Sequence, residues 1–369
     1  MKRFFALLVA VVMCFALFTA CGKKEEEKNA ATSLSEVNKE LNDVVIANVD
    51  GIHVSQAYYN FVYSQQFFSI AQNYQAQGLT DLSWLDEKDE QGKSGKDYLK
   101  ERAEIQIKQG VMARVLAEEN DIKLTDDMKT GAKNEVAQFL QENTQEFLVD
   151  SHTTEAALIT YCEEQYIIEA LIKKLSEEGG PAELKEEDIK EVEEMFNTDY
   201  ANKLKVQHIL IMTTDAQTGE VKRTDEEALK EAKAIVSMLD GGADFDSLIP
   251  EYNEDPGMTQ GNYYVFGDGE MVIEFENASK ALKAGQYTKE PVKTDYGYHI
   301  IKKYALDTTS AEFEQYKNYM IAEKVGQLIN EKLAGVETVW EDEKIASFIS
   351  TFISEQSAEL AAMTGTAAN

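Results

Sequence analysis

The chain is poor in cysteine, proline, histidine and positive charge. Its 369 residues include 3 cysteines, and two of these, Cys14 and Cys21, fall in the first 21 positions, so no disulfide framework is available. Cys162 stands apart in the apolar helical stretch LITYCEEQYIIEALIKKL, where a buried inert thiol is expected. Only 4 prolines and 21 glycines exclude a collagenous or proline-rich chain. The 4 histidines are His53, His152, His208 and His299. They are too few and too scattered for a zinc enzyme built on several imidazoles, so neither a metal nor a cofactor is expected. Lys plus Arg number 36 against 67 Asp plus Glu, a formal net charge of -31. A nucleic-acid surface needs clustered cations to displace counterions, so nucleic acid is not an expected partner.

The N-terminus is what the chain has in abundance of apolar character. Residues 1–21 read MKRFFALLVAVVMCFALFTAC: two cations, an almost unbroken apolar run, then a small residue and a cysteine. This is the pattern of a secretory signal, short for a bilayer span. The segment Phe18-Thr19-Ala20-Cys21 resembles a bacterial lipobox, departing from it at Phe18, where Leu is usual. The expectation is a signal peptide over 1–20 and a lipid on Cys21. The chain would then sit on the extracytoplasmic face of a bacterial cell membrane. A plain cleaved signal and an uncleaved anchor are the alternatives. Residues 21–42 are polar and suit a tether, and 355–369 suit a disordered tail.

Three blocks follow. In 43–200 apolar residues alternate on either side of Asp50-Gly51, a hairpin turn signal. Tyr59, Tyr63, Phe67, Ile70 and Tyr74 then recur at helical spacing, as a core face or as part of an apolar cradle for unfolded chains. Further helices are expected near 96–120, 125–147, 153–177 and 184–197. Block 203–305 mixes types. KLKVQHILIM alternates as a strand, Thr224-Asp225-Glu226-Glu227 opens a helix with a capping box, and YGYHIIKKYAL closes as a strand. Pro250, inside DFDSLIPEY, should end or kink that helix. Block 306–354 returns to helix, too short for a core of its own, and is expected to fold back on the first block. The fold class is thus α+β: a helical domain made of N- and C-terminal segments, with an inserted α/β domain.

The middle block resembles a parvulin-type peptidyl-prolyl isomerase. The resemblance is carried by VQHILI at 206–211, GGADFDSLIPEYNEDPG at 241–257, GEMVIEFENASKALKAGQ at 269–286 and PVKTDYGYHIIK at 291–302. With the signal, the helical block and the returning helix, the whole is similar to PrsA-type foldase lipoproteins, and the N-terminal block to the chaperone region of SurA-type proteins. The resemblance places the family's paired histidines on His208 and His299 and its third polar position on Asp255. Substrate contacts fall on Tyr263, Phe266, Met271, Phe275 and Thr294. Tyr263 stands where Leu is usual, and the loop from Asp255 to Gly261 is shortened, so Tyr263 is expected to narrow the proline pocket.

The chemistry suits these residue types. Rotation about an X-Pro bond breaks amide resonance, a barrier of about 20 kcal/mol, and needs no covalent step. An apolar notch holds the ring, and a polar floor of two imidazoles and a carboxylate responds to the changing charge of the twisting amide. The two imidazoles are expected to be hydrogen-bonded to each other. The same pair could instead merely tie two strands together. The implied function is cis/trans isomerisation of X-Pro bonds in secreted proteins, combined with chaperone holding. The alternative is a non-catalytic chaperone lipoprotein with a degenerate parvulin domain. A solute-binding lipoprotein would need two α/β lobes, and the chain has one such block. Expected partners are unfolded secreted chains and, through Cys21, the membrane; a homodimer is compatible with the sequence.

Overall fold

The computed structural model describes residues 36–76, 81–143, 146–214 and 220–364. The expected signal segment, Cys21 and most of the expected tether lie outside them. Along the chain, strands β1 (Val45–Val49) and β2 (Ile52–Ser55) lead into α1 (Gln56–Ala76), α2 (Gly95–Glu119), α3 (Asp126–Asn143), α4 (Glu146–Asp150) and α5 (Glu155–Leu175). Next come α6 (Glu186–Tyr200), β3 (Leu204–Met212), α7 (Asp225–Asp240), α8 (Phe245–Tyr252), β4 (Tyr264–Phe266), α9 (Ile273–Ala281), β5 (Val292–Thr294) and β6 (Gly297–Tyr304). Helix α10 (Ala311–Leu333), strand β7 (Thr338–Trp340) and helix α11 (Asp342–Thr364) follow. The chain divides into two compact units, one holding residues up to Glu183 together with those from Ile321 onward, the other Leu184–Met320.

The first unit is helical around a small sheet. Asp50 and Gly51 both take positive φ (50° and 82°), the pairing that a two-residue hairpin requires, and Gly51 donates its N–H to Asn48 Oδ1. Strand β7 adds to β1 with Ala47 opposite Trp340, so the last block is not wholly helical as its pattern implied. Tyr59, Tyr63 and Phe67 are buried against α11: Phe348 lies edge-on to both tyrosines and Phe352 to Tyr63 and Phe67. The front of the aromatic stripe is therefore core, not an open cradle. Tyr74 is partly buried and stacks on Trp84 at 5.2 Å. Cys162 is buried, and desolvation pushes its thiol up to about 12, an unreactive state.

Both ends of this unit depart from expectation. Val37 is buried in the core, and Asn38 Nδ2 donates to the carbonyls of Leu148 and Thr153, so the tether is docked by its last residues. At the other end α11 continues to Thr364, and His152 Nε2 meets Glu355 Oε2 at 2.6 Å. Residues 355–364 are helix, not tail, because a long helix with one buried side propagates past its last core contact.

The second unit is a four-stranded sheet in the order β4-β3-β6-β5, antiparallel throughout. Side chains alternate between its faces. Ile209, Ile211 and Ile300 pack under α7 and α8, while Val206, Phe266 and Ile301 pack under Phe275 of α9. Helix α7 starts at the expected capping box, Thr224 with Glu227. Pro250 neither ends nor breaks α8, which runs to Tyr252; Asn253 N–H still donates to Ile249 O. So near a helix C-terminus the missing N–H forfeits only one bond. Helix α6 and the start of α10 share a cluster of Val192, Phe196, Phe313 and Met320. Those contacts move the unit boundaries out from 203 and 305 to 184 and 320.

Candidate functional site

On β3 the alternation that sends Ile209 and Ile211 to one core sends Val206 and His208 to the other face. The β3–β6 register pairs His208 with Ile301 and Leu210 with His299. The two histidines are therefore diagonal neighbours on one face, within reach of ring-sized side chains. Their Nδ1 atoms stand 3.0 Å apart and their ring centroids 5.2 Å apart. Phe275 roofs both rings edge-on, at 5.2 Å from His208 and 5.3 Å from His299. The imidazoles are 2% and 4% exposed, which leaves the half-buried Asp255, Tyr264 and Met271 as the outward part of the site.

Asp255 follows α8 in a loop that Asn253 organises. Asn253 Oδ1 accepts from Leu210 N–H and Asp255 N–H, and its Nδ2 donates to the carbonyls of Asp255 and Met258. The loop is thereby pinned to β3 and the carboxylate is aimed at His208. Its Oδ2 is 2.8 Å from His208 Nε2 and 2.8 Å from the Tyr264 hydroxyl, and its Oδ1 accepts from Gly257 N–H at 2.9 Å. The hydrogen bond from His208, with those from Gly257 and Tyr264, outweighs burial and holds Asp255 down at about 2. Burial, helped by the neighbouring His208 and opposed by Asp255, lowers His299 to about 3.

The charge on Asp255 fixes one proton position. Asp255 is ionised, so His208 donates Nε2–H to it. The Nδ1 atoms of His208 and His299 share one hydrogen bond at 3.0 Å. His299 Nε2 is hydrogen-bonded to Thr294 Oγ1 at 2.8 Å, and Thr294 Oγ1 in turn accepts from Tyr296 N–H. The result is one hydrogen-bonded relay, Thr294–His299–His208–Asp255, that ends on the half-buried carboxylate.

Residues 191–305 match the family described as the PPIC-type PPIASE domain. The middle unit is a parvulin-type domain, in a chain similar to PrsA-type foldases. A foldase protein PrsA from Geobacillus kaustophilus is 44% identical over 121 residues, 31% of this chain and 37% of that protein, so the match spans well under half of that relative. A foldase protein PrsA from Caldanaerobacter subterraneus is 27% identical over 338 residues, 90% of this chain and 93% of that one. The crystal structure of PrsA from Bacillus subtilis is 19% identical over 85% of this chain and 93% of that chain, with a TM-score of 0.30.

In the parvulin domain the expected His208, Asp255, His299 and Thr294 are brought into one hydrogen-bonded line. Phe275 covers it, and Met271 packs partly exposed beside Phe275 and Phe266. Phe266, 1% exposed and 5.9 Å from Phe275, supports the roof from below, out of reach of a ligand. Tyr263 is the correction. Its ring lies edge-on to Tyr304 at 4.8 Å, with Lys205 Nζ 4.2 Å from its centroid, on the far face of the sheet. It narrows no proline pocket. Tyr264 takes the inward place, its ring 5.4 Å from His208. Strand alternation carried that signal: Phe266 is inward, so its i−2 neighbour Tyr264 shares its face and Tyr263 does not. Asn253 was also missed, and its role depends on the β3 backbone, which no local pattern announces.

Proposed function

We propose that this chain is an extracytoplasmic foldase, anchored through a lipid on Cys21, that isomerises X-Pro bonds in secreted proteins and holds the unfolded client meanwhile. The observation that carries the enzymatic half is the relay ending on an ionised, half-buried Asp255. In a planar amide the carbonyl oxygen carries partial negative charge, which falls as the bond twists and resonance is lost. A fixed carboxylate beside that oxygen opposes the planar forms more than the twisted one, and so lowers the barrier by differential binding. Met271, at the edge of the Phe275 cluster, offers the apolar contact for the pyrrolidine. The histidines keep the carboxylate charged and oriented and take no covalent part.

Exchange spectroscopy on a prolyl peptide with the full chain tests this. The parent chain should speed isomerisation, and Asp255→Ala should lower kcat/KM by about 10- to 100-fold. A folded parent chain with the rate of buffer would leave the second reading, a chaperone without turnover. The near-complete burial of both imidazoles favours that reading, since a pair closed off from a client can tie β3 to β6 without turnover. The anchor has its own test: Cys21→Ala should move the chain from the membrane fraction to the soluble one, and unchanged partitioning would remove the lipid.

A further inference from the structure

We propose that Tyr264 is a positioning residue of this site, acting through Asp255, and that position 257 is glycine because Tyr264 is there. The proposal rests on the isomerase reading above for its kinetic consequence, though not for its geometry. Two donors converge on one carboxylate oxygen: His208 Nε2–H and the Tyr264 hydroxyl both lie 2.8 Å from Asp255 Oδ2. Gly257 N–H occupies Oδ1. With three donors on it, Asp255 can turn neither into the site nor away from it, and its charged form is favoured over its neutral one. The Tyr264 ring also flanks the His208 imidazole, tilted by 37°.

Among the described residues, the titratable groups set against Asp255 come from three strands. His208 comes from β3, with His299 of β6 behind it, and Tyr264 comes from β4. The adjacent Glu254 turns the other way, to Arg223 and to the N–H of Met212. The Tyr264 phenol is held protonated, burial and the hydrogen bond to Asp255 both raising it. It is therefore a donor throughout the working range and contributes no titration of its own.

Gly257 supplies the independent observation. Its φ does not lie in the left-handed region, so the backbone would accept any L-residue. A Cβ there would stand 2.3 Å from the Tyr264 oxygen but 3.5 Å from its Cζ and 3.4 Å from Asp255 Oδ1. Only the hydroxyl forbids a side chain. Alanine at 257 would evict the hydroxyl from Asp255, and it should fit once the hydroxyl is gone.

The test is a cycle of Tyr264→Phe, Gly257→Ala and their double variant in the full chain. It is read by the 13C titration of the Asp255 carboxylate and by the pH profile of kcat/KM on a prolyl peptide. Tyr264→Phe should raise the Asp255 midpoint toward the ordinary carboxylate value, carry the acid limb of the profile upward with it, and lower kcat/KM about 3- to 10-fold. Gly257→Ala should do the same, and adding it to Tyr264→Phe should cost nothing further. An unmoved Asp255 midpoint in Tyr264→Phe, or penalties that simply add, would overturn the proposal. An inactive parent chain would defeat the isomerase reading alone, because the carboxylate titration of the single and double variants still reports the coupling of the three residues.

Discussion

Gly297→Ala is expected to dismantle the middle sheet where the two histidine strands meet. Gly297 opens β6 at φ 145° and pairs with Met212 of β3. A Cβ at this position would lie 2.1 Å from the carbonyl oxygen of Ile211 and 2.9 Å from the Cα of Met212. Both are backbone atoms of the neighbouring strand, so no rotamer change relieves the clash. The strands must part or slip, and a slip by one residue would send His299 to the opposite face. Forbidden backbone conformation and lost pairing together should cost more than about 3 kcal/mol, a large share of a domain's stability. Hydrogen exchange on the full chain measures it directly. Amides of 204–212 and 297–304 should lose most of their protection, while those of α1 and α2 keep theirs. Parent-like protection in β3 and β6 would show that the sheet absorbs the methyl group.

The same strands illustrate what was legible beforehand. KLKVQHILIM announced a strand by alternation, and Thr224 with Glu227 announced the start of α7, because both signals lie within one turn or one pleat of the residue concerned. Asp50-Gly51 announced its hairpin for the same reason. Three-residue β7 announced nothing: Thr338, Val339 and Trp340 are a strand only because β1, from the far end of the chain, supplies the partner. The docked Asn38 was hidden likewise, since its partners Leu148 and Thr153 are distant in sequence. Within the site, the residue types at 208, 255 and 299 were found through resemblance, whereas their order in the relay needed the register. Tyr263 and Tyr264 differ by one position, and choosing between them required knowing which way β4 faces. The family pattern pointed to Tyr263; the pleat, anchored on Phe266, pointed to Tyr264.

Acid should weaken the parvulin domain well before its carboxylates titrate, and His299 is the reason. In the unfolded chain this imidazole has its ordinary midpoint near 6.5, while burial beside His208 lowers it to about 3 in the fold. Between those values the unfolded chain holds a proton that the folded one refuses. Stability therefore rises with pH across the window, is fully present above about 6.5, and falls by up to about 1.4 kcal/mol per pH unit on acidification. Asp255 adds a loss of the same sign lower down. Its midpoint is depressed to about 2, so its contribution is present above its ordinary value and disappears as pH falls from there through about 2. Over the interval from about 6.5 to 4.5 carboxylates begin to titrate only at the lower end, so the imidazole dominates the slope, for an expected loss of roughly 2–3 kcal/mol. His299→Asn keeps a donor and an acceptor but cannot titrate. It should lower stability at pH 7.5 and flatten the slope between 6.5 and 4.5, read from the exchange protection of β3 and β6 amides. A parent-like slope in that variant would mean that His299 takes its proton inside the fold.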